Sequence, residues 1–275
     1  MKSAAPARVA RSYLFVPGAR PERFDKALAA GAHRVIIDLE DAVPLDSKNE
    51  AREAVAAWLN AKHPVTVRIN GVGTAWFEDD LGLCVNEGIE AIVLPKAEEA
   101  SVIAGIRRVT GDRVAVLPLI ETARGLWNAL EIARAPGVER LLFGSLDYQL
   151  DLGVVDEELL HARSQLVLVS RVADLVPPVD GVTAAFDDPA IVRREAQRAR
   201  ALGFGGKLCI HPRQVTEVNA TFRPTTEEIA WAQRVVAADA ASPGAAVAVD
   251  GKMVDRPVLL KAQGILVEAE LMVPV

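Results

Sequence analysis

The chain has 275 residues, a formal net charge of −6 and 51% hydrophobic content. That apolar share suffices for the core of one large α/β domain or two small ones, while the acidic balance excludes nucleic acid and an anionic membrane surface as partners. No apolar run approaches the roughly 18 residues of a membrane span. Cys84 and Cys209 form no CxxC pair and no disulfide framework, so a reducing cytoplasm is the expected location.

In chain order, residues 1–11 carry Lys2, Arg8 and Arg11 without an acid. This basic bias is shared with organelle transit peptides, but a disordered tail is the expectation, since the apolar core of a secretory signal is missing. Apolar runs then recur at Tyr13–Val16, Arg34–Leu39, Val65–Ile69, Glu90–Leu94, Val114–Ile120, Arg140–Phe143, Val179–Val182 and Lys207–Ile210. They are continuous rather than alternating, as in parallel strands covered on both faces. Between them lie helical patterns: Pro21 to Gly31, Asn49–Asn60, Trp76–Glu87, Glu98–Val109, Thr122–Ala133, Glu157–Leu175 and Pro189–Leu202. Eight such alternations predict a (β/α)8 barrel over residues 12–221. The seventh strand is the weakest, because Pro177, Pro178 and Gly181 interrupt it. After Pro212 the rhythm stops. Helices are expected over Glu227–Ala240 and Pro257–Glu268, with a break at 241–244, so residues 222–275 form a C-terminal helical extension. An open doubly wound sheet is the alternative fold, and it lacks its usual nucleotide fingerprint.

Catalytic groups in such barrels gather at the C-terminal strand ends. Standing there are Pro17-Gly18, Asp38 with Glu40 and Asp41, Arg68 with Asn70, Lys96, Glu121, Asp147 and His211. Glu121 and Asp147 close two runs that would be neighbouring strands about 5 Å apart. Carboxylates so placed repel unless a cation or proton lies between them, and Mg²⁺ is commonly held by one or two carboxylates plus water and substrate oxygens. The bland alternative pairs Glu121 with Arg124 and leaves Asp147 as a turn cap. Asp38, Glu40 and Asp41 would orient Arg68 and Lys96 or hold ligand waters, with helix capping as the rival duty. Arg68 offers a planar fork for a carboxylate, or merely neutralises the surplus acids. Lys96 raises a Schiff-base mechanism, yet acids around it should raise its pKa and make it an ion-pair partner instead. Lys207 is expected at the far end or in the barrel interior, and His211 reads as structural or as a base.

Neither a P-loop nor a G-x-S-x-G elbow occurs, and Gly71-Val-Gly73-Thr-Ala-Trp76 has tryptophan where a dinucleotide fingerprint needs glycine. Nucleotide hydrolysis, serine-ester chemistry and hydride transfer lose their ordinary support.

The segments Leu14-Phe-Val-Pro-Gly18, Ile36-Ile-Asp-Leu-Glu-Asp-Ala-Val43, Val67-Arg-Ile-Asn70, Leu94-Pro-Lys96, Ile120-Glu-Thr-Ala-Arg-Gly125 and Cys209-Ile-His-Pro212 resemble the citrate lyase β-subunit-like proteins of the HpcH/HpaI aldolase superfamily. The resemblance implies a TIM (β/α)8 barrel that binds Mg²⁺ and cleaves a 3-hydroxyacyl-CoA thioester of the citramalyl, malyl or citryl type into a 2-oxo acid and an acyl-CoA. Relatives also include malyl-thioester hydrolases, aldolases using free aldehydes, and subunits of larger lyase complexes. Residue by residue, it makes Glu121 and Asp147 the metal ligands and Arg68 the arginine that holds the 2-oxo acid and its developing charge; Glu40, from its place at the strand end, joins Arg68 as a catalytic candidate. Phe15, Arg20 and Lys26 fall where relatives grip coenzyme A. Asp255 resembles an acid delivered from a neighbouring subunit, which implies a homo-oligomer, by analogy a trimer. Leu146 departs from the pattern, standing where relatives often carry an acid beside the metal ligand.

Overall fold

A computed structural model describes residues 10–155, 159–241 and 247–270. The described residues up to Ala220 form one compact unit, and those from Thr221 onward belong to a second. Most of the tail expected over residues 1–11, the start of the helix expected at Glu157, and the break expected over 241–244 after Ala241 lie outside the described residues.

The first unit is a closed barrel of eight parallel strands in sequential order. They are β1 (Ser12–Pro17), β2 (Arg34–Asp38), β3 (Val65–Arg68), β4 (Ile89–Leu94), β5 (Ala115–Ile120), β6 (Leu142–Phe143), β7 (Val179–Asp180) and β8 (Gly206–Cys209). Closure pairs Ser12 with Lys207. The interior is filled by Tyr13, Ile36, Val93, Leu117, Leu142 and Leu208, while the alternate residues, such as Leu14, Ile37, Val67 and Ile92, are equally buried. With helices outside and side chains inside, neither face meets water, which is why these strands read as unbroken apolar runs.

The helices of this unit are α1 (Phe24–Leu28), α2 (Lys48–Trp58), α3 (Phe77–Leu83), α4 (Ala100–Thr110), α5 (Ala123–Trp127), α6 (Ala129–Ala133), α7 (Ser145–Leu152), α8 (Leu160–Val172), α9 (Pro189–Leu202) and α10 (Pro212–Thr221). Three differ from expectation. The single helix expected over Thr122–Ala133 divides at Asn128, whose side-chain amide is drawn onto the Glu98 carbonyl at 2.9 Å. A helix does continue the rhythm after Pro212: α10 buries Gln214, Val215 and Val218. Asp147 follows β6 by four residues and belongs to the first turn of α7 rather than to a strand end.

Lys207 corrects another expectation. Its neighbour Leu208 faces the interior cluster, so strand alternation turns Lys207 outward. There its ammonium donates to the Gly181 carbonyl at 2.7 Å and lies near Asp180, which also pairs with Arg163 of α8 at 2.9 Å. Buried charges survive in this way only when paired and hydrogen-bonded.

The second unit holds α11 (Thr226–Ala241), the antiparallel hairpin β9 (Val247–Val249) and β10 (Lys252–Val254), and α12 (Arg256–Glu270). The hairpin was not expected from the sequence. Its turn is Asp250-Gly251 with φ of 52° and 74°, the left-handed pair that a two-residue hairpin loop requires. Ala232, Val235, Val254 and Ala262 form its small core. Among the described residues no helix is long and apolar enough to cross a membrane.

Candidate active site

The C-terminal rim of the barrel is built around Arg68, the last residue of β3. Register places it beside Asp38 at the end of β2. Its Nε donates to Asp38 Oδ1 at 2.7 Å and its Nη2 to Asp38 Oδ2 at 2.5 Å, a bidentate pair of the geometrically strict kind. Asp38 also accepts from the Glu40 and Ala42 backbone N–H groups, so the same carboxylate shapes the loop after β2. The guanidinium lies 4.9 Å from the centre of the Phe15 ring. Burial opposes its charge, but Asp38 outweighs burial and raises the pKa, so it stays a cation. One nitrogen, Nη1, is left facing Glu40 Oε2 at 3.0 Å and Asp41 Oδ2 at 3.9 Å.

Glu40 links Arg68 to Lys96. Its Oε1 accepts from Lys96 Nζ at 2.8 Å. Its Oε2 is buried and, despite its closeness to Arg68, has no aligned hydrogen-bond donor. Burial raises the Glu40 pKa against the pull of Arg68 and Lys96. Burial disfavours the Lys96 charge, but the bond to Glu40 and the charges of Glu40 and Glu121 prevail, and its pKa rises. That is the ion-paired lysine anticipated from the sequence, unsuited to attack as a free amine. Lys96 also has φ of 45°, a left-handed conformation uncommon outside glycine. This turn directs its backbone N–H to Glu121 Oε1 at 2.7 Å.

Glu121 follows β5 directly, and β5 pairs with β6 through Ile120 and Phe143. Its carboxyl is almost wholly buried, and its pKa is pushed up to about 8 by burial first and then by Glu40 and Asp147, against the Lys96 hydrogen bond. Gly144 makes room for it: a Cβ there would lie 2.3 Å from Glu121 Oε2. Arg124 does not neutralise Glu121, since its partner is Glu98 at 3.8 Å. Thr122 caps α5 by accepting from the Gly125 N–H, and its hydroxyl donates to Glu98 at 2.9 Å. Gly125 leaves space for the Ala97 carbonyl, which a Cβ would meet at 2.6 Å. The Glu-Thr-Ala-Arg-Gly segment is thus one ligand-bearing strand end with its cap and its close contact.

Asp147 comes to Glu121 from α7. Asp151, one turn later, accepts from the Ala123 N–H at 2.7 Å and ties α7 to the start of α5. Asp151 escaped the sequence reading, although an acid four residues from Asp147 shares its helix face. Two other residues were missed. Asp80 accepts from both the backbone and the side chain of Asn70 and pairs with Arg52 at 3.0 Å, fixing the loop after β3. Lys48 donates to the Leu39 and Glu40 carbonyls and holds the loop after β2. Both stand among the polar and charged residues of a helix start, so nothing local set them apart.

The remaining candidates make other contacts. Arg20 and Lys26 are exposed beside the end of β1, and Arg20 donates to Glu22 at 2.6 Å. His211 accepts from the Arg213 N–H and stacks on Phe186, a structural role. Asp255 belongs to the second unit, where it accepts from the Val258 N–H at the start of α12.

Among the described residues no group of three or more His, Cys, Asp or Glu forms a metal cluster. Glu121 and Asp147 nevertheless suit a hard cation of the magnesium type, which takes one or two carboxylates and completes its shell from water and ligand oxygens. The raised pKa of Glu121, caused by burial and then by the neighbouring acids, marks the place where positive charge is wanted.

Comparison with known proteins agrees with this geometry. Residues 11–212 match the model of the HpcH/HpaI aldolase/citrate lyase family. The chain is 38% identical over 283 residues to a citrate lyase subunit beta-like protein of Deinococcus radiodurans, covering 95% of this chain and 98% of the relative. It is 35% identical over 270 residues to a (3S)-malyl-CoA thioesterase of Cereibacter sphaeroides, covering 94% of each. The crystal structure of CitE from Mycobacterium tuberculosis, in complex with magnesium, acetoacetate and coenzyme A, superposes with a TM-score of 0.85 at 37% identity, covering 96% of this chain and all of that one. With its barrel, its rim of acids around one arginine and these likenesses spanning nearly its whole length, the chain belongs to the HpcH/HpaI aldolase/citrate lyase family.

Proposed function

We propose that this chain is a magnesium-dependent carbon–carbon lyase acting on a 3-hydroxyacyl-CoA thioester of the citramalyl, malyl or citryl type, giving a 2-oxo acid and an acyl-CoA. The observation that carries this reading is Arg68. Asp38 holds it rigidly through two nitrogens, and the third faces the rim where Glu40, Glu121 and Asp147 converge. The M. tuberculosis relative crystallised with magnesium, acetoacetate and coenzyme A supports the same choice of ligands.

Glu121 and Asp147 would hold the ion, which when bound supplies Lewis-acid charge for an oxygen that becomes negative during cleavage. Arg68 binds the substrate carboxylate and adds a second positive charge there, fixed in advance and therefore free of reorganisation cost. Glu40 Oε2 is the acceptor placed for the hydroxyl proton. As that proton leaves, the carbonyl forms, the carbon–carbon bond breaks and its electron pair passes to the thioester α-carbon. Asp255 of a neighbouring subunit then protonates that carbon, in a homo-oligomer assigned as a trimer. Phe15, Arg20 and Lys26 serve coenzyme A, the two cations reaching its phosphates from the β1 side.

The test is product identification by mass spectrometry with Mg²⁺ and a panel of such thioesters. A 2-oxo acid plus an acyl-CoA is expected, with activity lost in Asp147→Ala and in excess EDTA. Undiminished turnover of Asp147→Ala under EDTA would remove the metal from the mechanism. The likeness to a malyl-CoA thioesterase favours a second reading, in which the products are free CoA and the intact hydroxy acid.

A further inference from the structure

A cavity of about 580 Å³ opens on the rim beside these acids, between the loops that follow β2, β3 and β4. Glu40 and Lys96 form its inner wall, and through the Lys96 N–H it adjoins Glu121. Its outer wall is apolar: Leu45, Val72, Trp76 and Val102. Leu45 and Val72 are 72% and 55% exposed, so this wall is open to a ligand.

Charge decides what fits. The lining cations are already engaged, Lys96 with Glu40 and Lys48 with two backbone carbonyls. The other charged groups of the lining, Asp41, Glu98 and Glu99, are acids. A carboxylate entering here would shed water, would have to share Lys96 with Glu40, and would face the like charges of Asp41, Glu98 and Glu99. An alkyl group would gain about fourfold in binding per methylene buried.

Direction follows from the site. Placing the substrate carboxylate on Arg68 and CoA on the β1 side, as proposed above, leaves the side where this cavity opens for the remaining substituent on the hydroxyl-bearing carbon. We infer that this cavity is the subsite for that substituent and that it selects an uncharged alkyl group over a carboxymethyl group. The released 2-oxo acid is then a monocarboxylate with an alkyl chain. This inference rests on the lyase reading above.

The experiment compares kcat/KM, with Mg²⁺, for 3-carboxy-3-hydroxyacyl-CoA substrates whose hydroxyl-bearing carbon carries hydrogen, methyl, ethyl, propyl or carboxymethyl. Ethyl should exceed hydrogen by roughly fifteenfold, at about fourfold per carbon buried, and carboxymethyl should be the poorest. Val102→Phe and Val72→Phe, both on the apolar wall, should each lower the propyl-to-hydrogen ratio at least fivefold. Thermal melting controls for folding, and the ratio is insensitive to loss of active protein. Turnover of the hydrogen substrate with no alkyl gain, carboxymethyl as the best substrate, or ratios unmoved in both variants would overturn the subsite while leaving the lyase standing. Carbon–carbon cleavage of none of the five would overturn the lyase reading and the subsite together.

Discussion

At the N-terminal end of the barrel, Arg140 is fully buried and donates to the Pro177 and Ala10 carbonyls and to the Tyr13 hydroxyl, with its guanidinium over the Tyr13 ring. Arg34 beside it pairs with Glu139 at 2.9 Å and lies 3.7 Å from Glu90. At the C-terminal end Glu121 is as deeply buried, yet its neighbours Glu40 and Asp147 are acids too. Both ends bury charge at a cost of several kcal/mol per ion unless it is compensated. One end compensates largely from within, using carbonyl dipoles and opposite charge, and leaves only Arg34 Nη1 and Arg140 Nη2 without a hydrogen-bond partner among the buried guanidinium nitrogens of these two residues. The other leaves the compensation to something that arrives. An interior that closes its own electrostatics serves stability, whereas one that leaves them open serves binding.

Three measurements would break or sharpen this contrast. The largest effect belongs to Arg68→Lys, which keeps the charge but loses the fork that Asp38 grips. Turnover should fall by about 10²–10³-fold, the usual loss for one preorganised donor at developing charge, with kcat rather than KM carrying most of it. Next is Arg140→Met at the opposite end. Leaving two carbonyls and a tyrosine hydroxyl without their donor should cost about 2–3 kcal/mol of stability by chemical denaturation, with kcat/KM of the folded enzyme unchanged. If both variants lost activity equally at equal stability, the two ends would not be separable.

The smallest effect, taken per pH unit, concerns pH. Glu121 has its pKa raised from 4.5 to about 8 in the fold, so the folded metal-free protein holds a proton that the unfolded chain releases. Stability from this group is complete below pH 4.5 and is lost as pH rises toward 8, with a slope of at most about 1.4 kcal/mol per pH unit. Glu121→Gln should flatten that slope in EDTA. In the wild type the proton competes with Mg²⁺, so apparent Mg²⁺ affinity should rise from pH 6 to 8, as titration calorimetry can check.

Much of the barrel was legible in the chain because its strands are buried on both faces, and continuous apolar runs ending in polar residues follow directly from that. Glu121, Arg68 and Glu40 could be placed by counting past strand ends. Asp147 could not, since β6 is only two residues long and the carboxylate arrives on a helix. Asp151, Asp80 and Lys48 act by tying loops that are far apart in sequence, and local pattern does not report such ties. The β9–β10 hairpin was readable in principle from Asp250-Gly251 between two short β-rich runs, but a helical rhythm on either side masked it. The alternation of β8 showed Lys207 facing α8 and α9 only once Leu208 was known to point inward.

Gly144 carries a consequence beyond its own strand. With Glu121 Oε2 lying where a methyl group at 144 would have to be, the floor of the carboxylate's berth is bare backbone. The position donates no functional group, yet any larger residue there would compete with the acid for the same volume. Site identity in this protein is therefore written partly in an atom that is missing, and a search for functional residues by side-chain chemistry would pass over it.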